Sequence, residues 1–532
     1  MTITTDTDLQ LAADNLALAL TEFRELLGAD GVFVDADTRR EFSDPYSPDS
    51  WTQYVPPAVL QPTTVDEIRG ILRIANQYGV SVFVNSQGRN NGYGGSGTRH
   101  PGTVVVNLRR MNKVLEVNEE LGYVVVEPGV SFNELHEYMK DRGYKIWVDC
   151  PDIGWGSLIG NALEHGIGYT INGDRAASVC GMEVVLPDGD LLRTGMGAMT
   201  NSTTWHVSKR GYGPTPDGIF MQSNFGVVTK MGFWCMPEPE YYMHSWIKLA
   251  DDKHLPELID ALRPLLMDRT IPNVTTIFTS LGALSVAVRR SEIWQGEGAV
   301  PMELADKIAG DAAGLGAWNM RFALYGKENI VDANFANIQA ALSVVPGVEV
   351  SGTKVRSSEL DPATLDQSAK VQAGIPDMEL LNVLNWTGAS RPGHVCFASV
   401  LPARGEDARR IVDLVKARLQ EEGFDYTGGF MANQRILVHN ALIVYDTEDE
   451  AAVRRAYDMC RAMVKEAAAL GYGEYRAHPD FMDLVADQFD FNDHAARRFN
   501  ERLKDALDPN GILNPGKQGI WPKRLRDALE PA

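Results

Sequence analysis

The chain of 532 residues carries 50 Lys+Arg against 71 Asp+Glu, a formal net charge of −21, and is 44% hydrophobic and 23% charged. That length suits roughly two to four domains of ordinary globular composition, which excludes a single small module, and the dispersed acidity argues against nucleic acid and anionic membrane as partners. The N-terminal MTITTDTDLQLAADNL has no basic stretch leading into an apolar one, and no window approaches ~18 uninterrupted apolar residues, so an unexported, cytoplasmic protein is expected.

Cys150, Cys180, Cys235, Cys396 and Cys460 are odd in number and far apart, without CxxC or paired-histidine spacing. Neither a disulfide framework nor a metal site is expected.

In chain order, a polar N-terminal arm leads to Pro56-Pro57 and then to Thr64-Val65-Asp66-Glu67, a capping box. Val65, Ile68, Ile71, Leu72 and Ala75 recur at helical spacing until Gly79, and a short strand, Val80 to Val84, follows. Beyond the loop Asn85 to Gly97, three runs read as strands: Thr103 to Leu108, Val114 to Asn118 and Tyr123 to Val130. A second capping box opens at Ser131 with Glu134, and a hairpin turns at Pro187-Asp188-Gly189. Helices and strands mix without regular βαβ alternation, so the class is α+β.

From about Tyr241 the texture becomes one of strands and long amphipathic helices. Over Ala451 to Leu470, for example, Val453, Ala456, Met459, Ala462, Met463 and Ala467 make one apolar face. A further helix, Arg497 to Leu507, precedes the turn-rich DPNGILNPGKQGIW. These textures predict a first domain over 1–240, a second over 241–490, and a C-terminal segment, 491–532, that returns to the first.

Gly92-x-Gly94-x-x-Gly97 satisfies the dinucleotide pattern in form, but a strand follows where a helix is required, so a Rossmann reading fails on context. The same run of small and polar residues with Arg89 can fold into a nest of backbone N–H groups that holds a pyrophosphate. A second glycine-rich stretch, Pro151 to Thr170 (PDIGWGSLIGNALEHGIGYT), would let backbone approach a flat cofactor closely.

The pairing of GRNNGYGG with that stretch resembles the vanillyl-alcohol oxidase and p-cresol methylhydroxylase family of covalent flavoproteins, most of all its bacterial eugenol oxidase and 4-alkylphenol oxidase branch. The resemblance continues through GMEVVLPDGDLLRTGMGA (181–198), YGPTPDGIFMQSNFGVVTKMG (212–232), RPGHV (391–395), YGEYRAHPDFMDLVADQFDFND (472–493) and the C-terminal LDPNGILNPGKQGIW. It implies a two-domain FAD-binding fold of the p-cresol methylhydroxylase type, built from both chain ends, with an inserted α+β cap domain over the isoalloxazine ring.

Site residues follow from the same resemblance. FAD would lie against Gln87, Gly88, Arg89, Asn90, Asn91, Gly92, Pro151, Gly156, Ser157, Gly160, Asn161, Gly166, Tyr169, Gly226, Val228, Arg476 and Lys517. His394, in a run that otherwise reads as a buried strand, matches the histidine that binds the flavin C8-methyl covalently in the oxidases. The family's archetype has a second, activating histidine in a DPHH motif, whereas this chain reads Asp44-Pro45-Tyr46-Ser47, so flavin attachment would need another base.

Tyr93, Tyr475 and Arg476 match a trio that binds the substrate as phenolate. Holding a phenol of pKa about 10 as its anion at pH 7 costs roughly 4 kcal/mol. Three hydrogen bonds to a charged oxygen, at about 1.5–3 kcal/mol each, offset that. Asp152 matches an acid beside flavin N5 that can stabilise the reduced flavin and assist water attack on the product as a base. Ile167 and Tyr169 would line the ring-side wall if their segment is extended, and Met431, with Phe430 and Gln434, the far end of the pocket.

The expected activity is oxidation of para-substituted phenols such as eugenol, vanillyl alcohol or 4-alkylphenols. Hydride would leave the benzylic carbon for flavin N5 through a p-quinone methide, with O2 as acceptor and peroxide as product. The alternatives are a dehydrogenase of the methylhydroxylase type that passes electrons to a cytochrome, and a flavin- or ligand-binding protein without turnover. By resemblance the chain would be a homodimer or an assembly of dimers.

Overall fold

The computed structural model describes residues 6–526. A four-stranded sheet runs in the order Val32–Phe33, Val59–Leu60, Val104–Asn107, Val82–Asn85, with the last three strands parallel. Its alternating buried valines pack under the helix Val65–Tyr78. Thr64 and Glu67 form the reciprocal cap expected at the start of that helix, and Gly79 ends it at φ 66.

The N-terminal region is a helix, Asp6–Leu27, where the sequence reading expects a polar arm. Ala19 and Phe23 are fully buried, with Leu16, Leu20, Leu26 and Leu27 packed around them against the same core. The two helices touch where Gly70 leaves room, since a Cβ there would stand 2.6 Å from the Leu26 side chain. The acidic face had masked an apolar stripe at three- and four-residue spacing.

A second, antiparallel sheet of five strands is ordered Val114–Asn118, Tyr123–Val126, Val227–Trp234, Val179–Val185, Leu191–Arg193. It carries the expected hairpin, in which the Leu186 and Gly189 backbones close the turn. The helix Phe132–Asp141, with both halves of the Ser131 capping box in place, covers it.

From Tyr241 to Glu474 the chain builds an eight-stranded antiparallel sheet. The helices Leu255–Met267, Glu328–Leu342, Gly405–Glu421 and Glu450–Ala469 bury one of its faces in the largest core of the molecule. In Glu450–Ala469 the buried stripe is Val453, Ala456, Met459, Met463, Val464 and Ala467, with Ala462 only half-buried at its edge. The opposite face of the sheet is left for the site.

The C-terminal segment returns to the first sheet. Val82 N–H donates to the Ile512 carbonyl at 2.8 Å, and Asn514 N–H to the Val82 carbonyl at 2.7 Å. Lys504, fully buried, fastens this return by donating to the carbonyls of Asn224 and Leu513 while pairing with Asp508. The N-terminal helix and the C-terminal return therefore belong to one unit.

Candidate active site

The strand Val82–Asn85 ends in the loop 86–97, which lies beside the second glycine-rich stretch in the wall of a cavity of about 320 Å³. Gly88, Gly92, Gly94 and Gly95 all have positive φ, so the loop folds back on itself as a nest of backbone groups. Arg89 ties the two loops together, stacking on the Trp155 ring at 5.2 Å and donating to the Trp155 carbonyl. Ser157 caps the short helix Leu158–Leu163 through the Gly160 N–H, which leaves the Cβ-free Gly156 facing open space.

Of the residues expected to touch a flavin, Gln87, Gly88, Arg89, Asn90, Asn91, Pro151, Gly156, Ser157, Gly160, Asn161, Tyr169, Gly226, Val228, Arg476 and Lys517 line this cavity. So do Tyr93, Asp152, Ile167, Met431 and Tyr475. Gly92, Gly166 and His394 stand behind the wall instead. A Cβ at 92 would lie 2.7 Å from His394 Nε2, and one at 166 would collide with the Asn161 amide. Phe430 and Gln434 also leave the site: strand alternation turns Phe430 into the cap core against Trp318, and Gln434 sits in the hairpin turn at φ 53.

His394 lies on the strand Pro392–Pro402 directly beneath Gly92. Burial pushes its imidazole down to about 4, so it is neutral at pH 7, and Nδ1 has no hydrogen-bond partner among the described residues. The Tyr46 ring packs against it with centroids 4.9 Å apart. Burial raises the Tyr46 hydroxyl to about 12, which disqualifies it as a base. The anionic group that faces His394 is Asp44, held by a histidine distant in sequence, His478, at 3.0 Å. Because His478 Nδ1 accepts from the Asp480 N–H, its Nε2 carries the proton that goes to Asp44.

Tyr93 is buried. The Arg476 guanidinium carbon stands 4.5 Å from its ring centre. Arg476 Nη2 donates to Asn90 Oδ1 at 2.5 Å, while its Nε–H is buried and has no partner among the described residues. The turn that carries Tyr475 and Arg476 is fixed on two sides: Tyr475 N–H donates to the Ala398 carbonyl, and the Tyr475 carbonyl accepts from Gln222. An unpaired cationic donor between two tyrosines is suited to an anionic oxygen.

Asp152 is not a solitary carboxylate. It accepts from Arg321 Nη2 at 2.5 Å, from Gln367 Nε2 at 2.6 Å and from the Tyr169 hydroxyl. Arg321 also stacks on the Tyr169 ring at 4.2 Å and donates through Nε to Thr276. Arg321, Gln367, Thr276, Asp44 and His478 escape the sequence reading. The one local signal was Arg321 itself, a charge in the mostly apolar strand Trp318–Gly326, where a buried cation must have a partner.

Among the described residues no group of three His, Cys, Asp or Glu side chains is placed to hold a metal ion, and no helix is long and apolar enough to cross a membrane. The two loops lie within residues 56–195, which match the FAD binding domain family, and residues 405–518 match the C-terminal domain of FAD linked oxidases. The flavoprotein subunit of 4-cresol dehydrogenase [hydroxylating] from Pseudomonas putida is 34% identical over 94% of this chain and 95% of its own. The chain belongs to the p-cresol methylhydroxylase and vanillyl-alcohol oxidase family. Solved structures agree. A 4-ethylphenol oxidase from Gulosibacter chungangensis, in complex with isoeugenol, superposes with a TM-score of 0.92 at 37% identity over 97% of this chain and 99% of that one. P-cresol methylhydroxylase with substrate bound gives 0.89 at 33% identity over 96% and 97%. The protein is thus an FAD-dependent oxidoreductase of that type with the two-domain fold of those enzymes, not a binder without turnover.

The residues present fit that cofactor. The positive-φ glycines give a nest for its pyrophosphate, the backbone at Gly156 leaves a flat wall, and His394 offers a neutral imidazole beneath Gly92.

Proposed function

We propose that this enzyme is an oxidase of para-substituted phenols such as 4-alkylphenols, eugenol and vanillyl alcohol, with residues 1–240 and 491–532 holding FAD and 241–490 forming the cap. The observation that carries the reading is the unpaired Arg476 Nε–H, buried beside Tyr93 in the wall that Tyr475 also lines. Together they can bind a phenolic oxygen as its anion, and ionisation pushes electron density through the ring toward the para benzylic carbon. When bound, FAD supplies two-electron acceptor chemistry for the hydride that leaves this carbon and passes the electrons on to dioxygen.

The chain's own residues do the rest. Burial holds the Tyr93 hydroxyl well above its usual range, so Tyr93 donates rather than ionises when the phenolate arrives. Asp152, anchored by Arg321 and Gln367, presents its carboxyl group on the wall it shares with Ile167 and Tyr169, where it can receive a proton from water attacking the oxidised substrate. His394 is the covalent anchor of the flavin. Met431 stands for the far end of the pocket. A cytoplasmic location accords with five buried thiols and no disulfide among them, and a homodimer or assembly of dimers accords with the exposed Phe489, Phe491 and Phe499.

A second reading, electron transfer to a cytochrome, has one specific support in the 34% identity to 4-cresol dehydrogenase. Turnover with vanillyl alcohol under air, followed by oxygen uptake and peroxide release beside dye reduction, separates the two: rapid dye reduction with little oxygen uptake favours the dehydrogenase. Veratryl alcohol, the 4-O-methyl ether, cannot ionise and should not reduce the flavin. Comparable reduction by both alcohols overturns phenolate activation.

A further inference from the structure

The strand Gly473–Glu474 ends the large sheet one residue before Tyr475 and pairs with Ser399 and Val400. Glu474 Oε2 accepts from the Ala398 N–H at 2.9 Å, and the Tyr475 N–H donates to the Ala398 carbonyl at 3.2 Å. One peptide unit on either side of Ala398 is therefore gripped by two successive residues. Alternation puts Ala398 on the same strand face as His394 and Cys396, so this grip joins the turn bearing Tyr475 and Arg476 to the strand under the flavin loop. The second carboxyl oxygen, Oε1, is buried and has no partner among the described residues.

We infer that Glu474 is a positioning residue for the phenolate clamp: protonated, it fixes the Tyr475–Arg476 turn, and ionised, it sets negative charge behind that turn and weakens phenolate binding. The inference rests on the phenol reading above.

The groups that face Glu474 come from four elements. They are Cys396 on the strand Pro392–Pro402, Cys460 on the helix Glu450–Ala469, Tyr93 on the glycine-rich loop, and its own neighbours Tyr475 and Arg476. Burial raises Cys396 to about 12 and Cys460 and Tyr93 well above their ordinary values, so these three stay neutral through pH 7 to about 9. Burial pushes the Glu474 carboxyl up to about 8, against the pull of the Ala398 N–H. Glu474 therefore changes charge in a range where those three do not, and a carboxylate behind the turn and a bound phenolate, being like charges, oppose one another.

The test titrates the holoenzyme with pentafluorophenol, which is already ionised across the range, and reads its dissociation constant from the perturbed flavin absorbance between about pH 6.5 and 9.5. The wild type should weaken about tenfold with a midpoint near 8, and Glu474→Gln should keep its low-pH affinity throughout. With 4-ethylphenol as substrate the same variant should hold KM low above pH 8 while kcat changes little. An identical pH dependence in the two proteins, or a flat wild-type profile, overturns the inference and leaves phenol oxidation standing. If Glu474→Gln does not retain flavin, the wild-type titration decides alone. Failure of the wild type to bind the probe at any pH overturns the phenol reading as well.

Discussion

Asp152 and Arg321 form an ion pair at 2.5 Å that joins the glycine-rich wall of the flavin domain to the centre of the large sheet. Both side chains are nearly out of solvent, at 12% and 5% exposure, so removing either partner strands a charge in a poorly solvated place. Breaking such a pair from one side costs about 3–5 kcal/mol. Arg321→Leu should therefore lower stability by that order, seen as a loss of melting temperature. Asp152→Asn keeps volume and part of the hydrogen bonding, so it should fold and retain FAD while substrate reduces the flavin at least about tenfold more slowly. Anaerobic stopped-flow gives that rate, and a value within a few-fold of wild type would assign Asp152 to joining the domains alone.

Attachment of flavin to His394 joins an imidazole nitrogen to the C8-methyl carbon. Such a bond would release one proton from the carbon and one from the ring, and its two electrons would be taken up by the flavin and then by its electron acceptor. His394 is neutral at pH 7, so its lone pair is free, and the positive charge that grows on the ring faces Asp44. Acid precipitation of the wild type should give a yellow pellet whose peptide carries one FAD. Asp44→Asn should shift flavin from pellet to supernatant, and His394→Ala should move all of it while still binding FAD in the native protein. A colourless wild-type pellet sinks the covalent assignment; an unchanged Asp44→Asn pellet removes Asp44 from it.

How much of this was legible in the sequence depended on the distance over which each signal acts. The Thr64 and Ser131 capping boxes, the turn at Pro187-Asp188-Gly189 and the stripe on Glu450–Ala469 are local, and each formed where the residues predict. The two glycine loops reached one cavity because each is a local backbone device. Partners such as Arg321 for Asp152 or His478 for Asp44 come from residues 169 and 434 positions apart, set side by side by sheet register and loop packing. Nothing at Asp44-Pro45-Tyr46 indicates which distant histidine will meet it. The helix Asp6–Leu27 was lost for a different reason, since its polar and acidic face outweighed a narrow apolar stripe.

Arg476 offers a quantitative test of the clamp. Its guanidinium is held by Asn90 and lies 4.5 Å from the centre of the Tyr93 ring, so it is placed before substrate binds. A charge-assisted hydrogen bond contributes about 2–3 kcal/mol here, so Arg476→Leu should lower the efficiency of flavin reduction by roughly 30- to 150-fold. Tyr93→Phe and Tyr475→Phe should each cost less, because the remaining donors still reach the oxygen. A loss for Arg476→Leu of only a few-fold would dissolve the trio as a unit.

Glu474 also makes a stability prediction that needs no substrate. In the fold its carboxyl titrates near 8, whereas in the unfolded chain it titrates near its ordinary 4.5. Between those values the folded state binds a proton that the unfolded state has released, so stability falls as pH rises, and the penalty is complete once both states are ionised above about 8. Every tenfold difference in proton affinity between the two states corresponds to about 1.4 kcal/mol, which makes the whole effect of order 2–4 kcal/mol after allowance for relaxation. Glu474→Gln cannot ionise and escapes this penalty. Its melting temperature should match that of the wild type near pH 5 and exceed it progressively toward pH 8, with the difference constant beyond. Parallel melting curves for the two holoenzymes across that range would mean that the Glu474 carboxyl is ionised in the fold and that the N–H of Ala398, with solvent, is enough to hold it so.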